Sequence, residues 1–344
     1  AKYAVQVVAN GSASESAPAT LHINADTSGA PPASFWGDLT SIPSATRVMT
    51  VKFVNRTNGH ASDAQLFWKL GGKAADGSEF SEMHSFAEAP TFDLPAVGSA
   101  RMYFFIAGNA GQATTEPDHY YDFIELNVGR SSASQPYRFN GNTTRVDAFG
   151  LKTAMRLRCG DGTDVSRGED YGTFLEDRAI TFAKYRAEVP AAFQDTANKQ
   201  APYRILEPGA AGFTPNGPHA DYYRAYIDQV WAANGIDESI VPKPKPPLVF
   251  ASNQYPDLEA AVARHVAEVP GTFGANGKLK DPDFWRKTPS SKFYQAEPAN
   301  FYAAYWHKHA ISGLAYGFPY DDVGNYSSFV ACDSPKQLIV AIGW

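Results

Sequence analysis

Charge is scarce in this chain. Lys, Arg, Asp and Glu make up 19% of its 344 residues, and the net charge is −6. The only basic cluster is "KPKPP" at 243–247. Phosphate recognition needs grouped Lys and Arg, so this deficit argues against a nucleic-acid partner. Long hydrophobic runs are also missing. The longest, "QLIVAIGW" at the end, is a strand's worth and far short of a membrane span, so no membrane partner is expected. Cysteine is limited to Cys159 and Cys332. Two cysteines cannot build a structural zinc site alone. They leave two readings open: one long-range disulfide, suited to an oxidising compartment, or two unpaired thiols. HExxH, paired CxxC, Walker and GxSxG motifs are absent, and the adjacent Asp321 and Asp322 lack the spacing of an EF-hand loop. No metal and no cofactor are therefore expected, and the chain is read as a monomer.

Aromatic residues, by contrast, are plentiful, with 18 Tyr, 22 Phe and 6 Trp. Such a stock serves a β-rich core first and a ring-stacking surface second. Up to about residue 158 the sequence runs in short alternating segments: "YAVQVVAN", "ATLHINAD", "RVMTVKFVN", "AQLFWKLGG", "ARMYFFIAGN", "DFIELNVG" and "AMRLRC". Gly, Ser, Asn, Asp and Pro clusters separate them. This pattern predicts a sandwich or barrel of antiparallel strands. Helical spacing then takes over, in "GTFLEDRAITFAKYRAEVP", "HADYYRAYIDQVWAANG", "PDLEAAVARHVAEVPG" and "PANFYAAYWHKHAISG". "PPLVFAS" and "KQLIVAIGW" read as strands. The length suits two domains, a β-barrel or sandwich domain over 1–158 and a mixed α/β domain over 159–344. The opening "AKYAVQVVANGS" starts directly on strand alternation, as a mature secreted protein would.

Three groups of residues could carry chemistry. On the strand "YYDFIELNVG", Tyr121, Phe123, Glu125 and Asn127 share one face, and Asp122, Ile124, Leu126 and Val128 share the aliphatic other. Asp147 follows in "TTRVDAFGL", which also alternates as a strand. Two carboxylates on adjacent rigid strands are what glycoside hydrolysis needs, one holding a proton and one ionised. On spacing alone the pair is weak, because any β protein has carboxylates this far apart. The loop "AYGFPYDDVGNYSS" (315–328) groups rings with carboxylates and amides, the mix that grips sugars, although a turn capped by its own Asp residues fits as well. His307 and His309 lie two apart on a helix and face different ways, so they do not suggest a shared metal.

These segments together resemble the β-1,3-glucanases of glycoside hydrolase family 64, relatives of the thaumatin-like proteins. The resemblance rests on the sequences around Glu125 and Asp147, on "YRAEVPAAF", "APYRILEPG" and "YYRAYIDQVW", and most specifically on "FYAAYWHKHAISGLAYGFPYDDVGNYSS". It implies a thaumatin-like β domain beside a mixed α/β domain with a wide groove between them, and inverting hydrolysis of β-1,3-glucan. Glu125 would be the general acid and Asp147 the general base. Asn127, Tyr121, Thr144, Tyr316, Tyr320, Asp321 and Asp322 would contact substrate. Phe123 and Tyr121 are expected to give Glu125 apolar surroundings that favour its protonated form. The chain departs from the family pattern in a longer segment between Glu125 and Asp147, in Asn127 where a hydroxyl residue is usual, and in "GLKT" after the Asp. A glucan-binding protein without turnover, a structural or adhesive β protein, and a retaining glycosidase stay open as alternatives.

Overall fold

A computed structural model describes residues 29–344 throughout. Of residues 1–28 it describes four short strand segments, Lys2–Tyr3, Gln6–Ala9, Ser12–Glu15 and Ala19–Thr20. The strand expected over "ATLHINAD" lies mostly outside the described residues.

The strands that follow are β1 (Met49–Arg56), β2 (Leu66–Ala74), β3 (Glu79–Ser85), β4 (Thr91–Leu94), β5 (Val97–Ile106), β6 (Tyr120–Gly129), β7 (Arg138–Thr143), β8 (Ala148–Phe149), β9 (Lys152–Cys159) and β10 (Asp164–Gly168). β11 (Ile205–Leu206) pairs only with β8, and β12 (Val330–Asp333) and β13 (Pro335–Gly343) come last. A six-stranded sheet has the order β12-β7-β6-β5-β2-β3, and a five-stranded sheet the order β10-β9-β13-β1-β4. Phe53, Trp68, Met102, Ile124, Leu157 and Val340, drawn from both sheets, share one buried core. The two sheets thus pack face to face as a sandwich, each buried side chain of this size contributing roughly 1.5–3 kcal/mol.

Period-two alternation decides which side of β6 faces this core. Ile124, Leu126 and Val128 enter it. Tyr121 turns the other way, into a small cluster with Phe67 and Phe105, and Phe123 packs on Tyr103. The outer face of β6 is therefore an aromatic floor rather than an ordinary solvated surface.

Two expectations need correction. β13 runs parallel to β1, the single parallel pairing among the described residues. Consecutive strands gave no hint of it, because β13 reaches β1 from the far end of the chain. β12 and β13 also place residues 330–343 inside the two sheets of the first half. A division at 158 separates them from strands to which they are hydrogen-bonded. Cys159 and Cys332 form a disulfide across the same division, closing a loop with a sequence separation of 173. In a chain-entropy account, closure on that scale stabilises the fold by about 5 kcal/mol.

Four helices correspond to the four periodic segments: α1 (Arg178–Glu188), α2 (Arg224–Asn234), α3 (Pro256–Ala263) and α4 (Phe301–Lys308). Asp177 caps α1 by accepting from the Ala179 amide, and Gly235 ends α2 with φ +61°. The expected stripe Tyr223, Tyr226, Ile227, Val230 and Trp231 is buried against α3. α3 stops at Ala263, well before Pro270, because His265 has the left-handed φ of +55°. "PPLVFAS" is no strand: Val249 makes one isolated bridge to Lys245. Pro244, Pro246 and Pro247 leave too few amide donors for a ladder. α1 and α4 share a separate aromatic core around Phe149, Tyr185 and Trp306.

Candidate active site

Strand register sets the first element of the site. Arg101 on β5 lies directly opposite Glu125 on β6. Its Nε and Nη2 donate to Glu125 Oε1 at 3.2 and 3.0 Å. Its Nη1 lies 3.9 Å from Asp147 Oδ2. A guanidinium is rigid and planar, with its terminal nitrogens about 2.3 Å apart, so the two carboxylate oxygens that face it are separated by roughly 9 Å at most. Both acids are partly exposed, with side-chain accessibilities of 36% for Glu125 and 51% for Asp147. The guanidinium also covers the Phe123 ring at 4.5 Å. Phe123 thus does not lend Glu125 the apolar cover expected of it. Burial alone would weaken the charge on Arg101, but the hydrogen bond with Tyr103 and the charge of Glu125 outweigh burial and raise its pKa.

Asp147 stands on a bend between β7 and β8, not on the strand that "TTRVDAFGL" suggested. Buried polar groups hold the bend. Arg145 donates to Asp122 at 2.8 Å and to the two oxygens of Glu169 at 2.7 and 2.8 Å, and it also reaches the Thr144 and Leu151 carbonyls. Asp122 in turn accepts from the Gly150 and Leu151 amides. Despite burial, which opposes ionisation, Asp122 and Glu169 push the Arg145 pKa upward. Such a network competes with ladder hydrogen bonds, and it explains why alternation fails here. Gly150 permits the close approach: a Cβ at this position would sit 1.7 Å from the Tyr121 carbonyl oxygen. On the far side the Glu207 amide donates to the Asp147 carbonyl at 3.2 Å.

The other expected residues divide by burial. Tyr316 is anchored beside the bend, its carbonyl accepting from the Arg145 amide at 2.7 Å. Burial first, then Asp322 and Glu125, raise its phenol pKa, so this ring lies in the field of the proposed acid. Tyr320 and Asp322 are accessible on the same loop, and Asn127 follows Glu125 on the open face of β6. Three residues are placed otherwise. Asp321 is fully buried, bonded to Arg264 at 3.0 Å and to His307 at 2.9 Å, so it holds the loop rather than a ligand. Thr144 is buried and caps the bend by accepting from the Val146 amide at 3.2 Å. Tyr121 is buried, with Arg204 donating to its hydroxyl at 2.5 Å. His307 and His309 go to separate carboxylates, Asp321 and Glu188.

Sequence reading missed Arg101, Glu207 and Glu259. Arg101 had a usable signal, being the charged member of the alternating run Arg101, Tyr103, Phe105. A cavity of about 380 Å³ adjoins Asp147, with Glu207 and Glu259 also in its lining. Burial raises the Glu207 pKa, against the amides of Gly209 and Ala210 and with help from Asp147. Burial pushes Glu259 up to about 8. The signal for Glu259 was its isolation, one carboxylate in the otherwise apolar run Leu258 to Ala263.

The family model for β-1,3-glucanases of glycoside hydrolase family 64 matches residues 84–244 and 236–342. The chain belongs to this family. No curated protein matches the sequence. Among solved structures, the family 64 laminaripentaose-producing β-1,3-glucanase from Paenibacillus barengoltzii is 28% identical. It covers 100% of this chain and 84% of its own, with a TM-score of 0.69. The same enzyme complexed with laminarihexaose is also 28% identical, covering 98% of this chain and 84% of its own at a TM-score of 0.70. A family 64 β-1,3-glucanase domain from Clostridium beijerinckii is 20% identical and covers 88% of this chain and 100% of its own. Its TM-score of 0.69 speaks for the fold alone. Membership of family 64 identifies a glycoside hydrolase acting on β-1,3-glucan.

Proposed function

We propose that this chain is a secreted, endo-acting β-1,3-glucanase that cleaves its substrate with inversion of configuration into short oligosaccharides. In this reading Glu125 protonates the glycosidic oxygen and Asp147 removes a proton from the attacking water. The observation that carries it is the convergence of both accessible carboxylates on Arg101. A gap of at most about 9 Å admits both the roughly 6.5–9.5 Å of an inverting pair and the roughly 5–5.5 Å of a retaining one, and the product anomer decides between them. Arg101 sets a positive charge, at Nη1, 3.9 Å from Asp147, the carboxylate proposed as general base. Its 3.0 Å contact with Glu125 must loosen as Glu125 takes up the proton it will donate. Tyr316, Tyr320, Asp322 and Asn127 are proposed to bind the glucan, the rings stacking on pyranose faces and the polar groups taking hydroxyls. The two-sheet unit fits a thaumatin-like fold, and the disulfide fits an oxidising compartment.

The test is digestion of laminarin and curdlan, with product anomers followed by NMR. Wild type should release the α-anomer first, and Glu125→Gln and Asp147→Asn should each lose several orders of magnitude in turnover. Initial β-anomer would mean retention. Sedimentation with curdlan without sugar release would mean a binding protein.

A further inference from the structure

Glu259 is 7% exposed, its remaining access being through the cavity, and among the described residues its carboxyl has neither a hydrogen-bond partner nor a counter-ion. A buried polar group left so costs free energy, and an apolar residue of the same size would cost none. Its position explains why the group is there. Glu259 and Ala263, one helical turn apart on α3, face the same cavity that Asp147 and Glu207 line from the other side. Pro247, Leu248, Phe318 and Pro319 supply apolar walls. Flat apolar walls with a few polar groups at the rim match a pyranose ring, which has C–H faces and an equatorial fringe of hydroxyls. About 380 Å³ lies in the range of small-ligand pockets, roughly 300–1,000 Å³.

We propose that this cavity seats one glucosyl unit of the substrate next to the cleavage site, and that the Glu259 carboxyl hydrogen-bonds one of its hydroxyls. The inference rests on the glucanase reading and adds a specificity-determining residue to it. Burial favours the neutral acid, so at neutral pH Glu259 is a donor as well as an acceptor, and it fits a hydroxyl better than a carboxylate would. The titratable groups around it are Tyr320, whose own pKa Glu259 helps to raise, and Asp147, Glu207 and Tyr223 of the cavity lining. None of them is a cation, and burial is what favours the neutral form.

The test compares Glu259→Gln and Glu259→Met in the full chain, by kinetics on laminarin and laminarihexaose and by melting temperature. It adds calorimetric binding of laminarihexaose to Glu125→Gln with and without Glu259→Met. Met should raise the melting temperature while raising KM and weakening binding about tenfold, the cost of one lost hydrogen bond in a desolvated site. Gln keeps a donor and should recover most of the affinity. If Met leaves KM and binding unchanged in an active enzyme, the proposal falls and the glucanase reading stands. If Met and Gln both lower the melting temperature and impair activity alike, Glu259 is structural and the proposal also falls. If wild type does not hydrolyse laminarin, the glucanase reading falls and takes this proposal with it.

Discussion

Asp122 and Arg145 form a buried ion pair, 2.8 Å apart, that ties β6 to the bend carrying Asp147. Asp122 lies three residues before Glu125, and Arg145 two before Asp147. The pair is thus a strut between the two proposed catalytic carboxylates, and it is sealed from water, with both side chains 3% exposed.

Glu169 still balances the Arg145 charge when Asp122 is removed, but the Gly150 and Leu151 amides and one Arg145 N–H lose their buried acceptor. Asp122→Ala should cost about 3–5 kcal/mol in chemical denaturation, the scale of three buried donors left without an acceptor. Where the variant still folds, turnover should fall more than KM rises, because Asp147 shifts while the binding surfaces stay. Equal stability of wild type and variant would remove the strut from the account.

Arg101→Gln tests the shared guanidinium. The substitution keeps a donor for one carboxylate and removes the positive charge from both. With the shared contact gone, the two carboxylates lose their common anchor, so turnover should fall more than KM rises. Turnover should fall about tenfold to a hundredfold, the scale of one lost charge contact. Unchanged turnover would show that Arg101 only packs on Phe123.

Asp321 predicts a stability effect at acid pH. Burial opposes its ionisation, but His307, Arg264 and the Gly317 amide outweigh burial and hold its pKa below the usual carboxylate value. A lowered folded-state pKa gives stability that is complete above about pH 4 and lost as pH falls further. Melting temperature measured from pH 6 downward should therefore drop more steeply for wild type than for Asp321→Asn. At neutral pH the variant should be the less stable, by about 3–5 kcal/mol, because Arg264 is buried against Trp285 and Phe293 without its partner.

Glu259 predicts the opposite slope. A folded-state pKa near 8 against an unfolded value of 4.5 means the folded chain binds the extra proton between these limits. Stability then decreases as pH rises from about 4.5 to 8, and the loss should amount to a few kcal/mol. Glu259→Gln, which cannot ionise, should lack this decline. Parallel melting curves for the two proteins across that range would contradict a neutral buried acid.

How much of this was legible in the sequence follows the range of the interactions involved. The faces of β6 and the four helices could be read because residues two or four apart in the chain are neighbours in the element. Glu125 was found that way, with the family resemblance giving it a role. Asp321 was misread because its sequence neighbours Tyr320 and Asp322 are accessible. Only the packing of Arg264 and His307 from two helical regions shows that the middle residue points inward.

By itself, then, the sequence determined the local periods, the candidate acids and the family, all encoded in contiguous residues. Tertiary structure decided what stands between those acids and around them. Arg101 meets Glu125 through one strand register, β13 returns to β1 from the end of the chain, and the bend at Asp147 is set by Arg145 and Asp122. Each is a pairing between distant residues. Burial and electrostatics choose such partners in three dimensions, and no spacing along the chain records the choice.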